Sequence, residues 1–263
     1  MKKFLIMALL VFYSGTLFAH PYEAFNIMLF QYEFDGYGSG SRAKAQRYLD
    51  ELAKDVGQAI AGGSYGVVGN FDTLGFTMSI KMSYQQVTTA DVIVMRNGDT
   101  AIYYPIIQSE FFLSEKMTGI ARISYSNDSF VAGGGVKYLL YEGYDYIPTI
   151  SAQSIYNYLL ADADDPYKLT TGENRVKFNA WNIKTAVTAY FGDIPYIQPY
   201  AFLSYDITGL HAVTSNRAGM SSIISGIGYG IGGQMVLSPL NLSFTLSVYE
   251  YRINYNFGIF FNF

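Results

Sequence analysis

Two histidines, no cysteine and 21 acidic side chains limit the chemistry open to this chain. Without a thiol there is no disulfide, thiolate metal site or cysteine nucleophile. Two imidazoles, His20 and His211, leave little room for a zinc enzyme. A hydrolase or acyltransferase needs a serine or aspartate beside a histidine base. His211 stands in Gly209-Leu210-His211-Ala212 with no Gly-x-Ser-x-Gly or paired-carboxylate pattern nearby, so the sequence points away from an enzyme. Asp162, Asp164 and Asp165 cluster but lack the rest of a calcium loop, and a solvated face explains them more simply than a bound cation. No metal and no cofactor is implied. The remaining charges of interest are isolated ones: Lys81, Arg122, Lys137, Lys184 and Asp206 each stand among Ser, Thr, Asn and Gly.

Those five residues belong to stretches of strict alternation, the period of a strand with two unlike faces. The clearest is the C-terminal one, where Tyr251, Ile253, Tyr255, Phe257, Ile259, Phe261 and Phe263 alternate with a mostly polar set that includes Arg252, Asn254 and Asn256. Similar runs are predicted over about residues 76–84, 103–113, 119–125, 130–140, 146–156, 181–191, 197–207, 223–235 and 242–248, giving ten strands, with eight or twelve as alternatives. Residues 25–34 are apolar but of mixed parity. By parity the five charges share one face, and four cations against Asp206 predict a net positive lining that favours anions.

Composition says which solvent each face meets. Only 14% of residues are charged while 17% are aromatic, and there are 26 glycines. Residues 1–19 read as a secretory signal peptide: Lys2 and Lys3, the apolar run 4–13, then a small residue at Ala19. Removing them leaves 15 basic against 21 acidic residues, a net −6 that argues against a nucleic-acid partner. No later window has 18 continuous apolar residues, so no transmembrane helix is expected. An exported chain of alternating, aromatic-rich strands is read as an all-β transmembrane barrel of the outer membrane over residues 76–263.

The connections support that reading. With Phe263 on the periplasmic side, the turns at 114–117, 142–145, 192–195 and 237–241 fall together and are short, whereas 85–100, 157–174 and 208–222 are long and external. Tyr141, Tyr144, Tyr146, Tyr190, Phe191 and Tyr196 crowd two short turns, as an interfacial girdle would. Within residues 20–75, helical spacing of Tyr48, Leu49, Leu52, Val56 and Ile60 predicts an amphipathic helix over 41–61, stopped by Gly62-Gly63. Ten strands usually leave little room for a helix about 10 Å wide, so it is expected at the periplasmic mouth rather than as a plug. The row Gly226, Gly228, Gly230 and Gly232 is expected to pack against larger inward residues, Tyr200 and Phe202 among them.

Three stretches carry a resemblance: Tyr48 through Gly62-Gly63-Ser64-Tyr65 to Gly75-Phe76, Gly133-Gly134-Gly135-Val136-Lys137-Tyr138, and Trp181 through Asp193-Ile194-Pro195-Tyr196 to Pro199-Tyr200-Ala201. Together they resemble an uncharacterised family of bacterial outer-membrane β-barrel proteins of unknown function. Phe202-Leu203-Ser204 departs from the glycine-rich continuation of that pattern. The resemblance implies a barrel with a helical preface and no substrate. Its C-terminal strand also resembles the signal read by the barrel-assembly machinery, with Tyr255, Phe257, Phe261 and Phe263 as its aromatic positions. The expected partners are that machinery, membrane lipid and lipopolysaccharide. The expected role is non-enzymatic: structural, or passive passage of small solutes past Lys81, Arg122, Lys137, Lys184 and Asp206. The rival is a carrier of hydrophobic compounds with the helix as hatch.

Overall fold

The computed structural model describes residues 41–64, 75–90, 101–126, 129–144, 146–164, 175–191, 196–214, 217–237 and 240–262. Helix α1 (Ser41–Ala61) precedes ten strands: β1 (Phe76–Gln86), β2 (Ala101–Ser114), β3 (Met117–Ser126), β4 (Ser129–Tyr141), β5 (Thr149–Asp164), β6 (Arg175–Tyr190), β7 (Ile197–Thr214), β8 (Arg217–Leu237), β9 (Leu240–Tyr249) and β10 (Arg252–Asn262). Each strand pairs with its sequence neighbours, and β1 pairs with β10 from Thr77↔Asn262 to Gln85↔Asn254, so the antiparallel sheet closes on itself. Closure removes the two free edges that an open sheet of alternating strands would expose. The leader, residues 25–34, His20 and Phe263 lie outside the described residues.

Side chains sort by parity as an inverted barrel requires. On β8, Ile223, Ile227 and Ile231 are 73%, 61% and 61% exposed. The alternate glycines face inward under aromatic rings. A Cβ at Gly232 would lie 2.3 Å from Tyr200 Cζ, one at Gly230 2.6 Å from Phe202 Cζ, and one at Gly226 2.5 Å from the Tyr249 hydroxyl. Small residues opposite large ones therefore fill this part of the lumen. Tyr190 is a correction to the expected girdle: it points inward and packs with Tyr200 and Phe202, while Tyr141, Tyr144, Tyr146, Phe191 and Tyr196 are exposed. The apolar outer wall yields a prediction. Phe257→Arg, at the centre of β10 and on the outer face, should destabilise the membrane-embedded barrel by about 2–4 kcal/mol, as a charge at midplane depth does, read by urea titration of liposome-embedded protein.

Strand lengths depart most from expectation at the end away from the C-terminus; at the other end β5 begins at Thr149 rather than near 146. The connections beside the C-terminus fall at 115–116, 142–148, 191–196 and 238–239, and those at the opposite end at 87–100, 127–128, 165–174, 215–216 and 250–251. Most of the predicted long loop 208–222 is instead strand: β7 continues to Thr214 and β8 begins at Arg217, paired from Thr208↔Ile224 to Thr214↔Arg217. Here Leu210, Ala212 and Met220 keep inward parity and meet an apolar partner, so the alternation carries on. Likewise β5 and β6 extend to Asp164↔Arg175, which shortens the predicted loop 157–174 to 165–174. Glu250 and Tyr251, with φ of 43° and 70°, make the two-residue turn between β9 and β10.

The partner of that inward apolar surface is α1. The helix stands inside the lumen rather than across the periplasmic mouth, which corrects the expected placement. Arg42 and Ala43 are exposed at the long-loop end, whereas every residue from Val56 to Ser64 is buried near mid-barrel. Its thinness makes this possible. A Cβ on Gly57 would come within 2.1 Å of Thr208 Oγ1, and one on Gly62 within 2.0 Å of Ser83 Oγ. Ala45, Ala53, Ala59 and Ala61 trim other faces. A ten-stranded lumen that excludes an average helix admits this one.

Candidate functional site

The candidate site is the lumen with α1 in it. Around the upper turns of the helix the wall is apolar: Val87, Ile102, Tyr104, Ile106, Val131, Leu159, Phe178, Leu210 and Met220 form one cluster with Leu49, Leu52, Val56 and Ile60. The side of the helix toward β10 is polar. Arg252 Nε donates to Asp55 Oδ1 at 2.8 Å, and its Nη2 also bonds Glu51. Lys54 bridges to Glu51 at 3.3 Å and to Glu250 at 3.0 Å. Gln46 donates to the Ser221 carbonyl at 3.0 Å, and Lys184 Nζ to Gln58 Oε1 at 3.3 Å.

At its lower end α1 meets two cations. An α-helix ends with unsatisfied carbonyl groups and a partial negative charge, and the last turn of α1 contains no basic residue of its own. The wall supplies what is missing. Lys81 Nζ donates to the Gly63 carbonyl at 2.7 Å, and Arg122 donates to the Gly62 carbonyl while its Nη1 reaches Asn157 Oδ1 at 3.3 Å. Gly63 holds the left-handed conformation, φ 64°, that turns the chain off the helix end. Below this level Lys137 bonds both Glu110 oxygens at 2.8 Å, with Gln108 donating to the same carboxylate at 2.6 Å. Lys184 pairs with Asp206 at 3.2 Å, and Ser204 donates to Asp206 at 3.0 Å.

Lys81, Arg122, Lys137, Lys184 and Asp206 are therefore all buried on the inner side of the wall; Lys184 bonds α1 itself, and Lys81 and Arg122 bond the two glycines that follow it. The expected net positive lining is reduced rather than removed. Among the described residues five buried cations, Arg252 with the four named above, stand against the three buried carboxylates Asp55, Glu110 and Asp206; Lys137–Glu110, Lys184–Asp206 and Arg252–Asp55 are ion pairs, while Lys81 and Arg122 face the carbonyls at the helix end. Glu110 and Arg252 escaped the sequence reading although both have inward parity. Glu110 sits between outward Ser109 and Phe111 in a run without clean alternation, and nothing local to Arg252 in the terminal strand signals a helix almost two hundred residues away.

Of the assembly positions, Tyr255, Phe257 and Phe261 point outward, with Phe257 56% exposed, and Phe263 lies outside the described residues. His211 Nδ1 lies 2.7 Å from Ser221 Oγ on the outer face of the β7–β8 pair, and among the described residues no carboxylate is hydrogen-bonded to the ring. The side chains of Asp162, Asp164 and Asp165 lie outside the described residues. Among those described, no three His, Cys, Asp or Glu side chains gather as metal ligands.

No protein-family model and no curated protein sequence matches the chain. Solved structures of bacterial outer-membrane proteins do match. The translocator domain of autotransporter NalP from Neisseria meningitidis has a TM-score of 0.41 at 9% identity, over 83% of this chain and 99% of that one. Outer membrane protease OmpT from Escherichia coli gives 0.42 at 8%, over 76% of this chain and 100% of the other. CdiB from Acinetobacter baumannii gives 0.40 at 13%, over 69% of this chain and 32% of the other, so the present chain spans about a third of its length.

Proposed function

We propose that this protein is a non-enzymatic outer-membrane barrel that acts as a helix-gated conduit, closed as it stands. The observation that carries this reading is the way α1 is held. Among the described residues, no backbone hydrogen bond joins it to a strand, and each wall bond has a side chain at one end or both. The barrel ladders close without it, so the helix can leave without opening the sheet. Ten strands filled by their own side chains would make a permanent support, as Tyr200 and Phe202 do lower down. Here the upper lumen is filled instead by a separable part.

The outer membrane is the setting that suits an apolar outer wall, closed edges and a polar, ion-paired interior. Lipid and lipopolysaccharide are then the partners of the wall, and the barrel-assembly machinery that of the terminal strand. Among the described residues no third group orients the imidazole of the Ser221–His211 pair, which favours the non-enzymatic reading. The test is conductance of the purified full chain in a planar bilayer. The wild type should be silent or flicker rarely, and Arg252→Met, which removes the partner of fully buried Asp55, should raise the open fraction about tenfold or more. A wild type that conducts steadily, or an Arg252→Met variant as silent as the wild type, would count against gating.

A further inference from the structure

Among the described residues, the β2–β3 ladder stops before either of its strands ends. Pairing of β2 with β3 runs from Ser114↔Met117 up to Ile107↔Ile123 and ends there, although β2 continues to Ala101 and β3 to Ser126. On its other side β2 stays paired with β1 from Phe76↔Phe111 through Met82↔Pro105 to Gln86↔Ala101. Pro105 sits two residues above the last β2–β3 pair. It has no N–H to give, and proline inside a sheet is confined to edges and bulges. Carried on, the register would set Ile106 against Ser124 and Pro105 against Tyr125, but these are not paired. An unmade ladder in a membrane wall is costly, because lipid offers the backbone no alternative partner.

The surroundings of the seam say what it suits. Inside it are Tyr104 and Ile106, each 2% exposed and part of the apolar cluster that holds α1. Outside stand Tyr103 and Tyr125, 47% and 72% exposed. Across the top, the Tyr104 hydroxyl lies 3.3 Å from Ser129 Oγ on β4, a side-chain tie where backbone bonds are missing. The seam lies in the half of the barrel toward the long loops, level with the upper turns of the helix. An apolar chamber behind a wall with an unzipped seam is a path that never requires an apolar molecule to cross water or the charged lower lumen.

We infer that the β2–β3 seam at Pro105 is a lateral doorway through which small apolar molecules pass between the lipid of the outer leaflet and the chamber that α1 occupies. This rests on the reading of α1 as a movable stopper and names the cargo class and the route. Tyr104 is the leaf of the door: rotation about its side chain leaves every ladder bond of β2 in place.

The test uses the full chain in the outer membrane of cells, with the hydrophobic fluorophore N-phenyl-1-naphthylamine as probe. Gly57→Leu, whose side chain cannot pass Thr208, should speed probe entry over the wild type. Adding Pro105→Val, which restores a donor and a strand-forming residue, should return entry to the wild-type level while planar-bilayer ion conductance stays that of Gly57→Leu. The chain has no native cysteine, so closure can be read separately. Oxidative cross-linking of Ile106→Cys with Ser124→Cys should be poor beside Pro105 and match the in-register control Ser109→Cys with Ala121→Cys once Pro105 is Val. Probe entry unchanged in the double variant, with the cross-link showing a closed seam, overturns the doorway and leaves gating standing. A Gly57→Leu protein that neither conducts nor admits probe overturns gating, and the doorway with it. Efficient cross-linking with Pro105 in place shows the seam already closed and also overturns it.

Discussion

Gly57→Leu is expected to turn a silent protein into a conducting one. The α hydrogen side of Gly57 rests against Thr208 on β7, so near that a single added carbon would stand 2.1 Å from the hydroxyl oxygen, 2.8 Å from Cγ2 and 2.9 Å from Cβ. All three contacts are to one short, β-branched side chain on a paired strand, which cannot swing away as the tip of a long chain would. Overpacking of this kind costs about 1–3 kcal/mol, equivalent to roughly a five- to hundredfold shift toward states with the helix out of the lumen. The barrel does not pay this penalty once the helix leaves, since its ten strands close through one another. Single-channel recording should show long openings, and the protein should keep its heat-modifiable mobility in gels. Thr208→Gly in the same chain should restore silence by making room for the leucine. Persistent silence in Gly57→Leu with α1 still protected from protease would show that the helix is a fixed core.

Lys137→Met is expected to act on stability instead of on gating. Lys137 Nζ lies 2.8 Å from each oxygen of Glu110, and the two side chains are 1% and 11% exposed. Removing the cation leaves a carboxylate inside the wall with only Gln108 as a hydrogen-bond donor of comparable closeness. Breaking such a buried pair costs about 3–5 kcal/mol, whereas replacing both partners by apolar residues is often close to neutral. Lys137→Met combined with Glu110→Leu should therefore recover most of the loss in urea titrations of liposome-embedded protein. The pair sits below the helix and touches none of its residues, so conductance should stay at the wild-type level in both variants. Single and double variants of equal stability would mean that lumen water already solvates the carboxylate.

The two predictions separate because the lumen has two halves of different chemistry. The upper half is a protein core built between a helix and a wall, with Leu49, Leu52, Val56 and Ile60 on one side and Tyr104, Ile106, Phe178 and Leu210 on the other. Beneath it the wall fills itself, through Glu110–Lys137 and through Tyr200 and Phe202 over the β8 glycines. Cations at the boundary, Lys81 and Arg122, belong to both halves: they are wall residues that finish the helix.

Much of this could be read from the chain alone. Alternation with period two is local, and each strand carries its own copy, so ten strands, their parity and the outward set of Ile227 and Phe257 were legible residue by residue. The inward burial of Lys81, Arg122, Lys137, Lys184 and Asp206 follows from the same local rule. What each of them touches does not. Contacts such as Arg122 with Gly62, or Arg252 with Asp55, join residues 60 and 197 positions apart, and their existence depends on where a helix of ambiguous destination comes to rest. The sequence showed the helix, its stop at Gly62-Gly63 and its small residues, but a generic helix width sent it to the mouth. Only the closed barrel, with Thr208 and Ser83 standing opposite two glycines, shows that it fits inside. The same holds for the extended β7–β8 hairpin, whose inward Leu210, Ala212 and Met220 are strand residues because a helix is there to cover them, and for the seam at Pro105, which is a gap only once β3 has taken its register beside it. Periodicity is written into neighbouring residues, whereas lumen contents are set by which distant surfaces close upon one another.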